Sequence, residues 1–200
     1  AGSGTAHRPA LTQTHICREP GFAGLLDQFS AADCNALDAQ RLVVDMGDLL
    51  GEWIARSGER VDALCPILRA GLPLAVGISR HLSGLDVSPI HAKRLPGRDR
   101  VAIERIGKIR SGSTLLLTET IAATGKTLTT VADLVHSEWR DVRLLVAVAY
   151  ASPKAIAAVE ECGLVAGMWI GQVAHGVDEH GYLFPATNGD AGDKLYMDMF

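Results

Sequence analysis

A run of apolar residues in the middle of the chain ends in acidic Glu119 and leads into a loop of small residues, Ala123-Thr-Gly-Lys-Thr127. Residues 115–117 are all leucine, which indicates a strand covered on both faces, whereas the apolar positions after Thr127 follow helical spacing. The 123–127 loop would therefore open a helix, where backbone N–H groups lack helical partners and the helix dipole is positive. Such a loop can bind a phosphate group, with the hydroxyls of Thr124 and Thr127 as further donors.

Two other structures would also fit these residues. Gly125-Lys-Thr127 matches the end of a P-loop for nucleoside triphosphates, but that motif needs a glycine five positions before Gly125. Position 120 is threonine, so the spacing argues against a P-loop. An ordinary capped turn between a strand and a helix fits the loop when it is taken alone.

Three segments of the chain together resemble type I phosphoribosyltransferases, and in particular the uracil phosphoribosyltransferase group. One is the 123–127 loop with the strand before it, and another is Cys65-Pro-Ile-Leu-Arg-Ala-Gly-Leu72. The third is Glu179-His-Gly-Tyr-Leu-Phe-Pro185 together with Gly189-Asp-Ala-Gly-Asp-Lys194. The segments follow the order of the family. The resemblance implies transfer of ribose 5-phosphate from phosphoribosyl pyrophosphate to a heterocyclic base, with release of pyrophosphate.

The resemblance also implies roles for individual residues. Arg69 and Arg94 would bind the leaving pyrophosphate, because a guanidinium group offers two parallel donors to phosphate oxygens. Glu119 would bind the ribose hydroxyls, and Asp190 would hold Mg²⁺ through water, since this ion is usually held through substrate phosphates and one or two carboxylates. The candidate catalytic residues are therefore Arg69, Glu119 and Asp190. The residues expected to contact the 5′-phosphate are Ala123, Thr124, Gly125, Lys126 and Thr127.

The C-terminal segment would bind the base, and here the chain departs from the family. Uracil enzymes use main-chain groups around Tyr-Ile-Ile-Pro-Gly-Leu-Gly-Asp, whereas residues 182–190 are one residue longer and carry Ala186 in place of a glycine. An added residue moves every later N–H and C=O, and an unpaired buried polar group costs about 1–3 kcal/mol. The expected acceptor is therefore uracil or a related planar heterocycle. The residues expected around it are Tyr182, Leu183, Phe184, Ala186, Gly189 and Ala191.

Two further departures lie close to the 123–127 loop. Glu119-Thr120 stands where relatives carry Asp-Asp or Asp-Pro, and Lys126 replaces the second glycine of Gly-Gly-Thr. The lysine would bring a cation to the phosphate, but its Cβ restricts backbone geometries that only glycine adopts freely. An alternative function is therefore a non-catalytic regulator that senses nucleotides or binds RNA on the same fold.

The composition fits a cytoplasmic enzyme with one main domain. Of the 200 residues 48% are hydrophobic, which is enough for one sizeable core. A net charge of -4 gives no basic surface for nucleic acid, and the four cysteines lack metal-ligand spacing and suit a reducing compartment. No apolar stretch has the length of a membrane span, and the first residues lack a signal-peptide pattern. The resemblance implies a homodimer or a larger homo-oligomer.

Strands and helices must alternate to bring these segments together. The pattern predicts strands at 61–68, 87–94, 115–117, 142–150 and 165–173, helices at 72–82, 127–135 and 153–162, and a hairpin or flap at 101–109. This alternation predicts an α/β fold with a parallel sheet covered by helices on both faces. Ser30 is expected to cap a helix that ends near Ser57. Residues 1–57, the N-terminal tail and long helix, would form a small hood with the C-terminal segment, beside a core of residues 58–200 that carries the base-binding loop.

Overall fold

A computed structural model describes residues 12–94, 101–179, 182–184 and 191–196. The strands are β1 (Gln13–Ile16), β2 (Ala63–Leu68), β3 (Asp86–Val87), β4 (Ile90–Arg94), β5 (Val101–Ile106), β6 (Thr114–Ala122), β7 (Arg143–Ala151), β8 (Val165–Val173), β9 (Gly176–Val177) and β10 (Leu183–Phe184). The helices are α1 (Pro20–Ser30), α2 (Ala36–Arg56), α3 (Gly71–Ser79), α4 (Lys126–Glu138), α5 (Pro153–Cys162) and α6 (Ala191–Tyr196).

Eight strands form one sheet in the order β1-β8-β7-β6-β2-β4-β5, with β3 also paired to β2. Neighbouring strands are parallel except β4 and β5, which run antiparallel. Strand β8 and helix α5 begin and end where the sequence predicts. The predicted α/β fold with a largely parallel sheet is confirmed.

The middle strands are buried on both faces, as their unbroken apolar sequences predict. Leu115, Leu116 and Leu117 of β6 are fully buried. Successive side chains of a strand point to opposite faces, so these leucines divide between two cores. Leu116 packs in the core formed with α1, α2 and α3, whereas Leu115 and Leu117 pack in the core formed with α4 and α5. Helices therefore cover both faces of the sheet.

The long N-terminal helix begins later than predicted. Ser30 is the last residue of α1, and the next helix, α2, starts after Asn35. The side-chain oxygen of Asn35 accepts a hydrogen bond from the Asp38 N–H at 3.0 Å. Asparagine and serine cap helices about equally well, so the sequence offered two candidates and the prediction of Ser30 was wrong. The predicted end near Ser57 is correct, since α2 ends at Arg56.

The first and last described segments contact each other and the main sheet. Strand β1 pairs with β8 in parallel, so part of the predicted N-terminal hood contributes a strand to the sheet. Helix α6 packs on α2, where Gln40 donates a hydrogen bond to the Leu195 carbonyl at 2.6 Å. The Lys194 ammonium donates to the Ala31 carbonyl at 3.2 Å. The division of the chain into a hood and a core stays a prediction.

The predicted hairpin after β4 is confirmed by the antiparallel pairing of β4 with β5, in which Arg94 lies opposite Val101. Residues 95–100, between these two strands, lie outside the described residues. Among the helices of the described ranges, none has the length and apolar character that crossing a membrane requires.

Candidate functional site

The segments that follow β2 and β6 lie at one edge of the sheet, because these strands are parallel neighbours. Ligands of open α/β sheets bind outside the carboxyl ends of the strands. Arg69 follows β2, after a cis peptide bond from Leu68, and the 123–127 loop follows β6. The structure thus brings two of the predicted binding segments to the same edge.

Strand β6 is longer than predicted and runs past Glu119 to Ala122. Its pairing with β7 persists through Ile121 opposite Tyr150 and Ala122 opposite Ala151, because small and apolar residues continue the strand there. Glu119 therefore lies within the strand and not at its end, which corrects the predicted position. Its carboxylate accepts a hydrogen bond from the Thr120 N–H at 3.1 Å.

Helix α4 begins at Lys126, one residue before the predicted start at Thr127, and Gly125 is the residue that precedes it. Gly125 has a φ of 74°, in the left-handed region, and Lys126 is the first helical residue. The Thr124 hydroxyl accepts from the Lys126 N–H at 3.4 Å. The position that needs glycine is thus 125, and the Cβ of Lys126 lies on ordinary helical backbone. The expected conflict between a lysine and a glycine geometry does not arise.

A buried serine that the sequence analysis missed joins the loop to the next helix. The Ser152 N–H donates to the Ala122 carbonyl at 3.0 Å, and its hydroxyl donates to the Ala123 carbonyl. The same hydroxyl accepts from the Ala155 N–H at 2.9 Å. Its position before Pro153 signals a helix cap, but nothing in the sequence signals contact with a loop 29 residues away.

Two buried threonines hold the Arg69 segment against β6. The Thr118 hydroxyl donates to the Gly71 carbonyl at 2.8 Å, and the Thr120 hydroxyl donates to the Ala70 carbonyl at 2.6 Å. A Cβ on Gly71 would lie 2.1 Å from the Thr118 carbonyl oxygen, so only glycine permits this approach. The two candidate binding segments are therefore joined through β6.

Arg69 contacts the C-terminal helix α6. Its guanidinium donates to a carboxylate oxygen of Asp193 at 3.1 Å, with both side chains about half exposed. The guanidinium carbon lies 5.7 Å from the ring centre of Tyr196, and the Tyr196 hydroxyl donates to the Arg69 carbonyl at 3.2 Å. Burial raises the pKa of Tyr196 and the Arg69 charge acts in the opposite direction, so the phenol remains a donor at neutral pH.

A small, open pocket lies beside the 123–127 loop. Its lining residues are Glu119, Ile121, Ala122, Gly125, Thr127 and Leu128. No group of three metal-ligating side chains occurs within the described ranges. One carboxylate at the pocket fits Mg²⁺ that is held mainly by substrate oxygens, which is the usual mode for this ion.

The residues predicted to bind the base, and Arg94, are described only in part. Tyr182 is exposed and Leu183 is buried in β10, which pairs with β9. Ala191 is the buried first residue of α6. Arg94 and Phe184 lie in β4 and β10, but their side chains are outside the described part. Ala186, Gly189 and Asp190 lie outside the described residues altogether, so their predicted roles stay predictions.

The sequence is similar to known uracil phosphoribosyltransferases. The family model described as uracil phosphoribosyltransferase matches residues 54–197. A curated uracil phosphoribosyltransferase from Thermococcus kodakarensis is 27% identical over 149 residues, which are 72% of this chain and 64% of that protein. The chain thus spans less than two thirds of the length of this relative.

Solved structures share the fold at low sequence identity. The structure of AQ2163 protein from Aquifex aeolicus matches with a TM-score of 0.83 and 19% identity, over 92% of this chain and 98% of that one. A purine phosphoribosyltransferase from Pyrococcus horikoshii matches with a TM-score of 0.50 and 20% identity, over 65% and 85% of the two chains. Since the family match covers well over half of its residues, this chain belongs to the uracil phosphoribosyltransferase family.

Proposed function

We propose that the protein transfers ribose 5-phosphate from phosphoribosyl pyrophosphate to uracil or a related planar heterocycle, with release of pyrophosphate. The observation that carries this proposal is the junction of the 123–127 loop and the Arg69 segment through Thr118 and Thr120. The loop suits a phosphate monoester and the arginine suits a diphosphate. Phosphoribosyl pyrophosphate carries both groups on one ribose, and membership of the family supports the same donor.

In the proposed reaction a base nitrogen bonds to the anomeric carbon of the ribose while the bond from that carbon to pyrophosphate breaks. The bonding electrons leave with the pyrophosphate oxygen, so negative charge grows there and positive charge grows on the ribose. Arg69 would stabilise the leaving charge, and the Glu119 carboxylate would accept hydrogen bonds from the ribose hydroxyls. The 123–127 loop would hold the 5′-phosphate and fix the anomeric carbon between these groups.

Mg²⁺ is the proposed cofactor, and when bound it would neutralise charge on the pyrophosphate. Glu119 is the described carboxylate that could face it, and Asp190 is the proposed second carboxylate, acting through water. Arg94 is proposed to contact the pyrophosphate from β4. These assignments rest on the family resemblance and on the position of Glu119 at the pocket.

We also infer a cytoplasmic homodimer or larger homo-oligomer. The described cysteines, Cys17, Cys34, Cys65 and Cys162, are all free thiols, which suits a reducing compartment. The net charge of -4 gives no support for nucleic acid as a partner.

Release of pyrophosphate from phosphoribosyl pyrophosphate with Mg²⁺, assayed over a panel of pyrimidine and purine bases, tests the proposal. We expect turnover with uracil or a closely related base. Because residues 182–190 are lengthened, the panel should include substituted pyrimidines and related planar heterocycles. Binding of the donor without turnover on any base would refute the catalytic proposal.

One observation favours the non-catalytic alternative. Thr120 stands where relatives carry an acidic residue or proline, and its buried hydroxyl is used internally, on the Ala70 carbonyl. The chain therefore lacks the second carboxylate of those relatives that carry Asp-Asp at this point. A regulator that binds nucleotides on the same loop would bind donor or nucleoside monophosphate in the assay above and release no pyrophosphate.

A further inference from the structure

We propose that Ser152 is a positioning residue that orients the 123–127 loop for its phosphate ligand. The inference rests on the proposed function, because it assigns the way in which that loop is held for binding. Ser152 lies in the turn between β7 and α5 and is fully buried. It is not itself among the residues predicted to touch the substrate.

The backbone and side chain of Ser152 hold two consecutive carbonyl groups at the start of the loop. The N–H donates to the Ala122 carbonyl at 3.0 Å, and the hydroxyl donates to the Ala123 carbonyl. The hydroxyl oxygen also accepts from the Ala155 N–H, which caps helix α5. Buried hydrogen bonds of this kind resist exchange with water, so the loop and the helix are fixed relative to each other.

The bond to the Ala123 carbonyl determines where the next N–H group points. In a trans peptide unit the C=O and the N–H point in opposite directions. Holding the Ala123 oxygen on Ser152 therefore turns the Thr124 N–H away from Ser152. Without this bond the peptide unit could rotate and present its carbonyl oxygen to the ligand, where it would repel an anion.

Helix α5 also closes one side of the loop to ligands. A Cβ on Gly125 would lie 2.9 Å from the Ala155 carbonyl oxygen and 3.1 Å from the Ala158 Cβ, so the loop packs directly on the first turns of α5. A phosphate must approach from the opposite side. Because the Ser152 bond turns the Thr124 N–H away from Ser152 and so from the start of α5, the serine would direct this donor toward the side that the ligand can reach.

The test compares two ligands by titration calorimetry in the Ser152→Ala variant. Ribose 5-phosphate probes the 123–127 loop, and pyrophosphate with Mg²⁺ probes the Arg69 segment. We expect the affinity for ribose 5-phosphate to fall roughly tenfold, the factor that corresponds to about 1.4 kcal/mol, and the affinity for pyrophosphate to stay within about twofold. In turnover, KM for the donor should rise more than kcat falls.

Ser113→Ala is the matched control. The Ser113 hydroxyl is also buried and donates to a backbone carbonyl, that of Arg110, but it lies at the other end of β6. This variant should lose stability without losing affinity for ribose 5-phosphate. Ser152→Gly is a second variant, because glycine keeps most of a helix cap while it removes the hydroxyl. Ser152→Gly should lose affinity for ribose 5-phosphate as Ser152→Ala does, and Ser152→Thr should retain that affinity.

Two outcomes would overturn the inference alone. One is an unchanged affinity for ribose 5-phosphate in folded Ser152→Ala or Ser152→Gly. The other is an equal loss for both ligands, which would indicate a general loss of structure. A wild-type protein that binds neither ligand would instead overturn the proposed function, and this inference with it.

Discussion

At the scale of single residues, Gly125 meets two requirements that other residue types do not meet together. Its φ of 74° lies in the left-handed region, which costs a residue with a Cβ about 1–2 kcal/mol. A Cβ at this position would also press on the Ala155 carbonyl of α5. Lys126 faces neither constraint, because it already belongs to helix α4. The family's second glycine can therefore be replaced here while the first cannot.

Gly125→Ala should lower both the free energy of unfolding and the affinity for ribose 5-phosphate. Gly58→Ala is the matched control, since Gly58 has a φ of 73° and open space around its Cβ position. We expect the control to cost about 1–2 kcal/mol in urea denaturation and Gly125→Ala to cost clearly more. Equal losses in the two variants would mean that the loop does not depend on its contact with α5.

At the scale of elements, helix α6 follows the segment that is predicted to bind the base and contacts Arg69, which is proposed to bind pyrophosphate. Asp193 and Tyr196 both lie on this short helix, and both contact Arg69. The contact with Asp193 uses one guanidinium nitrogen, so the planar group retains other donors for a ligand. Donor binding and the position of α6 should therefore depend on each other.

Asp193→Asn should strengthen pyrophosphate binding a few-fold. Loss of the exposed ion pair with Asp193 costs at most about 1 kcal/mol in the positioning of Arg69. Two like charges 4 Å apart repel by about 1 kcal/mol even in water. Because pyrophosphate carries several negative charges, removal of the Asp193 charge should favour its binding. Calorimetry at low and high salt should find that the gain shrinks as salt rises. Arg69→Ala, in contrast, should weaken pyrophosphate binding at least about tenfold.

Asp86→Asn is the control for Asp193→Asn, because it removes the same charge from an exposed pair with Arg110 at the opposite edge of the sheet. It should leave pyrophosphate binding unchanged. Weaker binding in Asp193→Asn would show that the carboxylate serves mainly to orient Arg69.

The helices and strands could be predicted from the sequence wherever local residues determine where they begin and end. The leucines of β6 and the apolar run of β7 indicated buried strands, and Pro153 with Gly163 marked both ends of α5. The break between α1 and α2 was missed because Ser30 and Asn35 are residue types that cap helices about equally well. Strand β1 was missed because its four residues become a strand only by pairing with β8. Ser152 could not be found because its partner is distant in sequence.

At the scale of the whole molecule, the carboxyl ends and the amino ends of the parallel strands serve different purposes. The carboxyl ends of β2 and β6 carry the candidate binding residues. At the other end Asp62, just before β2, accepts a hydrogen bond from the Thr114 N–H at 2.9 Å and pairs with Arg60 at 2.8 Å. The hydrogen bond from Thr114 is the main reason that the pKa of Asp62 lies below its ordinary value, with Arg60 second. We therefore expect a change of Asp62 to leave the candidate ligand site at the opposite end of the strands unaffected.

Asp62→Asn should lower stability at neutral pH by about 1 kcal/mol, the usual contribution of such a hydrogen bond, and leave ligand affinity unchanged. The lowered pKa in the folded state means that the carboxylate stabilises the fold above its unfolded pKa. That contribution is lost as the pH falls through the lower folded value. Urea denaturation of both proteins from pH 7 to pH 2 should show the difference narrowing below about pH 4. A constant difference across this range would contradict the assignment.

The short strand β1 has a consequence for handling the protein. Strand β8 is nine residues long and largely apolar, and without β1 its outer edge would offer unpaired backbone groups to other chains. Proteolytic clipping just after Ile16 would therefore create a template for intermolecular strand addition, and the clipped protein should aggregate. Strand β1 has only four residues, two of them exposed, and is itself a poor template for the addition of another strand. It therefore protects the sheet as a short edge strand.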